Sequence, residues 1–551
     1  MEQFSTHLVT NQAQPLVDYD TYGTDQVLVE SFRREYALAA GAESVDDGEV
    51  REVGLLAGSD IGQTWARQAN ENIPKLRSHD RFGHRIDFVE YHPAYHELMA
   101  AACRFGLHGT PWVDSRPAPH TRRAAKIIAW YQGDQGHVCP VSMTYSVVPA
   151  LRHQPSLAAS LVPLLASNEY DASYQPIEAK SGITAGMGMT EKQGGSDVRA
   201  NSTIATRSKV DGEFHLTGHK WFVSAPMSDG FLMLAQAPAG LSCFWVPRWQ
   251  PDGTRNYFAI QRLKDKLGDR SNASSEVELA GTWGQLVGEE GRGVRTIIEM
   301  VNHTRLDCAL GSASNMRGAT AQALWHCAHR SAFGKDLILQ PLMQNVLADL
   351  ALESEAATAS VMRLARTFDR SNDEGEDLLA RLLLPVLKYW TCKRAPQHVA
   401  EALECFGGNG FIEEGPMPRI FRQSPVNGVW EGSGNVICLD VLRALARSPE
   451  SFEAYCAEVR ANSNGDPAIA ARLDALAVEL SDPEDIEWRA RRIVEEMAVV
   501  FQASLLMATA PAFVSEAFAE SRLGREANLA FGTMHRGINA KAIIERAMPL
   551  G

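Results

Sequence analysis

Apolar side chains recur at three- and four-residue spacing through 95–105, 122–131 and 151–166. That is the period of a helix with one buried face, so residues 1–182 are expected to form an N-terminal helical domain. From about residue 183 the texture changes to short runs rich in Val, Phe, Leu and Thr: Phe214-His-Leu-Thr, Trp221-Phe-Val-Ser, Phe231-Leu-Met-Leu-Ala, Ser242-Cys-Phe-Trp-Val and Glu276-Val-Glu-Leu. Turn signals such as Asp211-Gly212 and Asp252-Gly253 separate them, which predicts a small β-barrel or sandwich over 183–293. Long helical periodicity returns through 296–330, 340–368, 378–405 and 436–446, enough for a four-helix bundle over 294–450. After the polar break Ala461-Asn-Ser-Asn-Gly-Asp-Pro467, further helical pattern predicts an extra helical domain at 451–551. The expected fold class is therefore multidomain α+β.

Composition narrows the setting. A chain of 551 residues with 45% hydrophobic and 22% charged residues can bury several cores. The net charge of −14 argues against nucleic-acid or anionic-membrane binding by the bulk surface and leaves room for a local basic patch. Nine scattered cysteines without a Cys-x-x-Cys pair read as reduced thiols, with neither a disulfide framework nor a zinc site. The pair His92 and His96 lacks the Glu of a zinc-protease helix, so no metal is expected. The N-terminus shows no secretory pattern, and the apolar stretch 497–514 is short and interrupted by polar residues, which predicts a buried helix. A cytoplasmic protein without a membrane span is expected.

Two segments carry candidate chemistry. Trp430-Glu431-Gly432-Ser433-Gly434-Asn435 sets one carboxylate between a large aromatic and a flexible turn, a way to present a general base. Gly186-Met-Gly-Met-Thr-Glu-Lys-Gln-Gly-Gly-Ser-Asp197 offers close backbone approach at Gly194 and Gly195 and hydroxyls at Thr190 and Ser196. No strand–turn–helix frames a dinucleotide fingerprint there. Taken alone, the first reads as a solvated surface turn, and the second reads equally well as a structural glycine loop or a ligand-binding one.

Together with Gly218-His-Lys-Trp-Phe-Val-Ser224, Lys266-Leu-Gly-Asp-Arg-Ser271, Gly288-Glu-Glu-Gly-Arg-Gly293, Thr304-Arg305, Arg330-Ser-Ala-Phe-Gly334 and Phe406-Gly-Gly-Asn-Gly-Phe411, these segments resemble the acyl-CoA dehydrogenase flavoproteins. The run 186–198, with 263–274 and 429–435, is similar to the AidB branch, bacterial flavoproteins associated with the adaptive response to DNA alkylation. The resemblance covers nearly the whole chain. It implies FAD as cofactor, an acyl-CoA substrate, an electron-transfer acceptor and a homotetramer.

Residue by residue, the resemblance implies that Glu431 is the base that removes the α-proton. Thr190, with Met187 and Met189, would meet the flavin ring, Phe222 and Ser224 its edge, and Ser196 the pyrophosphate. Ser433 and Asn435 would lie near the adenosine. Arg330, Phe333 and, more loosely, Gln340 would reach a neighbouring subunit's cofactor, and Gly407 and Gly408 would admit its adenine side. Trp430, Asn302 and Arg305 would shape the acyl pocket. Trp430 in place of the usual Tyr, and Asn302 in place of an acid, suggest short or branched acyl groups and weak turnover. Glu404 replaces a family glutamine near phosphate and would need a partner. The same resemblance implies double-stranded DNA as a partner, with Arg443, Arg489, Arg491 and Arg492 as candidates within a face that could also draw on Arg447, Arg522, Arg525 and Arg536. Composition lends this no support, since 441–551 holds more acids than bases.

Overall fold

The computed structural model describes residues 6–42, 44–524, 530–535 and 537–549. The first helical region holds α1 (Gln26–Ala40), α2 (Gly48–Gly58), α3 (Asp60–Glu71), α4 (Pro93–Arg104), α5 (Pro119–Trp130), α6 (Val138–Leu151) and α7 (Pro155–Leu165). It also contains an antiparallel hairpin, β1 (Lys75–His79) and β2 (Arg85–Glu90), that hydropathy did not predict. The hairpin is short, and its charged positions hide the alternation. It reaches the central sheet, where Arg85 donates to the carbonyl of Ile260 at 2.7 Å.

The central strands are β3 (Ala185–Gly188), β4 (Ile204–Arg207), β5 (Glu213–Ser224), β6 (Gly230–Ala237), β7 (Gly240–Pro247), β8 (Ala259–Leu263) and β9 (Ser274–Val287). Five of them close a ring, β6–β4–β5–β9–β7 and back to β6, with β3 added on β6 and β8 on β9. The arrangement is thus a small barrel. The two runs at 214–217 and 221–224 form one strand, irregular between Lys220 and Val223. Lys220 obscures this because it is buried. Its ammonium pairs with Glu191 at 2.8 Å and donates to the Leu234 carbonyl at 2.7 Å.

The bundle follows the periodicity closely: α8 (Gly293–His329), α9 (Pro341–Asp369), α10 (Glu374–Glu404), the short α11 (Met417–Gln423) and α12 (Gly434–Arg447). A two-residue pairing of β10 (Ser331–Ala332) with β11 (Lys335–Asp336) lies between α8 and α9. Helices α8, α9 and α10 pack on one another, and α12 lies on α10. The extension comprises α13 (Glu450–Asn462), α14 (Pro467–Ser481), α15 (Ile486–Thr509), α16 (Ala512–Leu523) and α17 (Ala540–Ala547). It is not a separate body, because α15 packs on α9, α10 and α12 and shares their apolar core. Among the described residues no helix is long and apolar enough to cross a membrane. Arg525 and Arg536 lie outside the described residues.

Candidate active site

The turn carrying Glu431 is strained and held from three sides. Glu431 itself has φ 56°, and Gly432 has φ 103°, a conformation that side chains disfavour. A Cβ on Gly432 would stand 2.9 Å from Ile437 Cδ1, so glycine is required there on both counts. Lys388 on α10 donates to the carbonyls of Trp430 (2.8 Å) and Gly432 (2.5 Å). Arg305 on α8 donates through Nε to the carbonyl of Glu431 (3.0 Å) and through Nη2 to Asp440 on α12 (2.7 Å). The Trp430 indole N–H donates to Asn427 Oδ1 at 2.9 Å.

The Glu431 carboxylate accepts from the Thr304 hydroxyl at 2.8 Å. Burial pushes its carboxyl above the ordinary carboxylate range, against the opposing Thr304 hydrogen bond and the Arg305 and Lys388 charges. The Cys139 thiol on α6, pushed up to about 12 by burial, feels Lys266, Asp269, the Ser224 hydroxyl and Glu431. Met187 and Met189 join Cys139 against one apolar cluster. Cys139 thus links Ser224 at the end of β5 to the turn of Glu431, and shares its apolar cluster with the methionines at the end of β3.

Thr190 follows β3, where its carbonyl accepts from Trp221 N at 2.8 Å. Gly195 is needed because a Cβ there would meet Thr190 Oγ1 at 2.5 Å, and Gly194 because its φ is 140°. Gly195 thus serves the loop's own packing, and Gly194 its backbone conformation. Phe222 is half exposed beneath the Lys264 ammonium, 4.7 Å from the ring centroid.

A cavity of about 1700 Å³ opens beside this turn, lined by Ser196, Asn302, Arg305, Asp440 and Arg443. Arg295 and Arg447 on its rim make no ion pair among the described residues, which favours an anionic occupant. Its inner wall is aromatic: His303 stands 5.0 Å from Phe368 and 5.4 Å from Trp112. Burial holds His303 down to about 4, so its imidazole is uncharged at neutral pH, while the Arg152 guanidinium lies over Trp112 at 4.9 Å.

Arg330, Phe333, Gln340, Gly407 and Gly408 form a second group at the far end of α8. His326 stacks on Phe406 at 4.3 Å, which brings the glycines to that end. Gly407 (φ 59°) and Gly408 have open space where a side chain would stand. Phe333 is 99% exposed, Arg330 donates to the Asn11 carbonyl, and Gln340 donates to the Ala332 carbonyl at 2.7 Å. At ~1.5 Å per residue, Arg330 lies ~37 Å along α8 from Arg305, so the two groups do not meet within one chain.

The basic candidates are largely committed. Arg489 donates to the carbonyls of Asp482 (2.6 Å) and Glu484 (2.7 Å), and Arg492 pairs with Glu479. Arg443 pairs with Asp440, and Arg491 donates to Asn435 Oδ1 at 2.8 Å. Ser433 is the exposed N-cap of α12, without a side-chain capping bond. Glu404 is exposed at the end of α10.

Two members of the turn's support escaped the sequence reading. Thr304 stood in a motif without a role, and Lys388 had no motif at all. The signal for Lys388 was present: a lone cation in Leu382-Leu-Leu-Pro-Val-Leu-Lys-Tyr-Trp390 has no solvated face to occupy.

This barrel between helical layers, with a carboxylate turn whose supports Arg305 and Asp440 line a large cavity, is the arrangement of the acyl-CoA dehydrogenase fold. Three family models match in succession: "Adaptive response protein AidB N-terminal domain" over 11–172, "Acyl-CoA dehydrogenase, middle domain" over 186–282 and "Acyl-CoA dehydrogenase, C-terminal domain" over 291–446. The putative acyl-CoA dehydrogenase AidB of Escherichia coli (strain K12) is 46% identical over 452 residues, 82% of either chain. Acyl-CoA dehydrogenase family member 11 of Caenorhabditis elegans is 30% identical over 78% of this chain and 71% of its own. Among solved structures, C. elegans ACDH-11 in complex with C11-CoA superposes with TM-score 0.83 at 26% identity, covering 98% of this chain and 93% of that one. The chain belongs to the AidB branch of the acyl-CoA dehydrogenase family and is an acyl-CoA dehydrogenase-type oxidoreductase.

Proposed function

We propose that this protein is an FAD enzyme that removes hydrogens from the α- and β-carbons of short or branched acyl-CoA thioesters, with Glu431 as the α-proton base and an electron-transfer acceptor downstream. The observation that carries this reading is the half-buried Glu431 carboxylate, hydrogen-bonded to Thr304 and backed by Arg305 of a large cavity whose Arg295 and Arg447 make no ion pair among the described residues. Such a group can take a proton from an α-carbon near neutral pH, because burial raises its basicity toward the working range. FAD, held by residues of this site, would supply the hydride acceptor for the β-carbon. The residues present suit it. Thr190 and Ser224 offer hydroxyls at the strand ends, the methionines an apolar face, and Gly407 and Gly408 an unobstructed backbone.

Within the cavity, Asn302 and Arg305 line the wall nearest the turn, and Arg295 and Arg447 stand where phosphates of a CoA carrier would be met. Trp430, fixed by Asn427, limits the acyl chain that reaches Glu431. The separation of the two groups on α8 favours assembly, because Arg330 and Phe333 can complete a site only on a second copy. A homotetramer serves this.

Anaerobic bleaching of the flavin with a panel of acyl-CoAs tests the reading. The parent is expected to bleach with isovaleryl-CoA, and Glu431→Gln at least about a thousandfold more slowly. Equal bleaching by the variant removes Glu431 as base, and faster bleaching by long-chain acyl-CoA removes the short-chain assignment.

A second reading, binding of duplex DNA with vestigial dehydrogenation, is favoured only by the matched adaptive-response model and the extension. Arg443, Arg489 and Arg492 already face carboxylates or carbonyls, so phosphate would have to displace internal partners.

A further inference from the structure

We infer that Lys388 is a positioning residue for the reaction: its ammonium clamps the carbonyls on either side of Glu431 and so fixes where the base presents its carboxylate. This rests on the reading of Glu431 as the α-proton base.

Lys388 is 1% exposed and makes no ion pair among the described residues. A buried ammonium without an ion-pair partner is costly, so a helix that is otherwise apolar at this level would be better packed with Leu or Met. The ammonium is offset by what it touches: the Trp430 carbonyl at 2.8 Å and the Gly432 carbonyl at 2.5 Å. These two carbonyls flank the one residue whose side chain does the chemistry. That residue sits at φ 56°, a conformation a glutamate leaves unless it is held. Arg305 takes the third carbonyl, that of Glu431 itself, but its other arm is spent on Asp440. Lys388 thus acts on the turn alone, and its charge also favours the ionised carboxylate.

The groups facing Glu431 come from three helices: Thr304, Arg305 and Cys308 of α8, Lys388 of α10 and Cys139 of α6. Of these, the two cations are the only ones that favour the charged base through their own charge. Loss of Lys388 should therefore change both the geometry and the protonation of Glu431. A merely space-filling residue would change neither.

The test uses the flavin-loaded enzyme with Lys388→Met, which removes donor and charge, and Lys388→Gln, which keeps donors without charge. FAD content and thermal stability are measured first. Rates are then followed against pH with isovaleryl-CoA, and the carboxylic C=O band abolished by Glu431→Gln is titrated by infrared difference spectroscopy, a readout independent of turnover. Lys388→Met is expected to lower kcat about 100-fold with KM changed less than about threefold. It should also move the acid limb and the infrared titration to higher pH. Lys388→Gln is expected to recover most of the rate at high pH while its titration stays raised. If Lys388→Met does not fold, Lys388→Gln alone decides through its titration. The inference is overturned if the titration matches the parent's, or if activity falls only in proportion to bound FAD. Failure of the underlying reading is distinct: Glu431→Gln would then bleach like the parent, whatever the Lys388 variants do.

Discussion

At the scale of the residue, the consequence of a desolvated Glu431 is a rate that depends on pH in a defined direction. As the proposed base, Glu431 would work only when ionised, and burial raises its folded-state value. The acid limb of kcat/KM should therefore lie above the ordinary carboxylate range, with activity rising as pH increases through it. The sign for stability is opposite. A raised carboxyl favours the fold while protonated, and that contribution is lost as pH rises through the folded-state value. A Glu431→Gln protein, with no carboxyl to ionise, should keep it, so denaturant unfolding of the two should diverge at the alkaline side. Thr304→Val removes the hydroxyl that donates to the carboxylate and should push the acid limb higher still. An unmoved limb would show that the hydrogen bond does not bear on the base.

At the scale of the element, Arg522 on α16 is the fastening of the extension. It meets Asp349 at 2.5 Å and Glu353 at 3.0 Å on α9, while Arg394 on α10 takes the other oxygen of Glu353 at 3.0 Å. Burial alone would raise Glu353, yet the two arginines hold it down to about 2. This contribution is present above the unfolded value of 4.5 and is lost as pH falls toward 2. Arg522→Met strands the buried Asp349 carboxylate and leaves Glu353 to Arg394 alone, and should cost about 3–5 kcal/mol in urea unfolding at neutral pH. A loss below about 1 kcal/mol would mean that the carboxylates find other partners or neutralise cheaply.

The helices of the bundle were legible in the sequence to within a few residues, because a long apolar face repeats a period that nothing else imitates. The strands were less so. Lys220 interrupts β5 as a polar letter although its ammonium is buried on Glu191, and the charged hairpin β1–β2 shows no alternation above noise. The same blindness applied at the site. Glu431 and Ser224 stand in motifs, whereas Lys388 matters through carbonyls some forty residues on, and a backbone acceptor leaves no letter in a sequence.

At the scale of the whole molecule, the packing of α15 on α9, α10 and α12 predicts that the extension cannot be cut away. A chain ending at Ser448 would expose the apolar faces of three helices, and its soluble fraction on expression should collapse. A soluble, flavin-binding truncate would refute this. DNA binding, if it occurs, should weaken steeply with salt; a filter-binding curve flat between low and physiological salt would exclude phosphate contacts by these arginines.

The length of α8 has a further consequence, for inheritance as much as for chemistry. On the proposed completion of each site by a second copy, a helix that carries the Glu431 support at Thr304 and Arg305 and ends on Arg330 would make each centre the joint property of two gene copies. Two inactive alleles, Glu431→Gln and a damaged Arg330–Phe333 end, should rescue one another when co-expressed. Random pairing across a two-fold interface concentrates both lesions in one centre and leaves its twin whole, so about a quarter of all centres should regain activity.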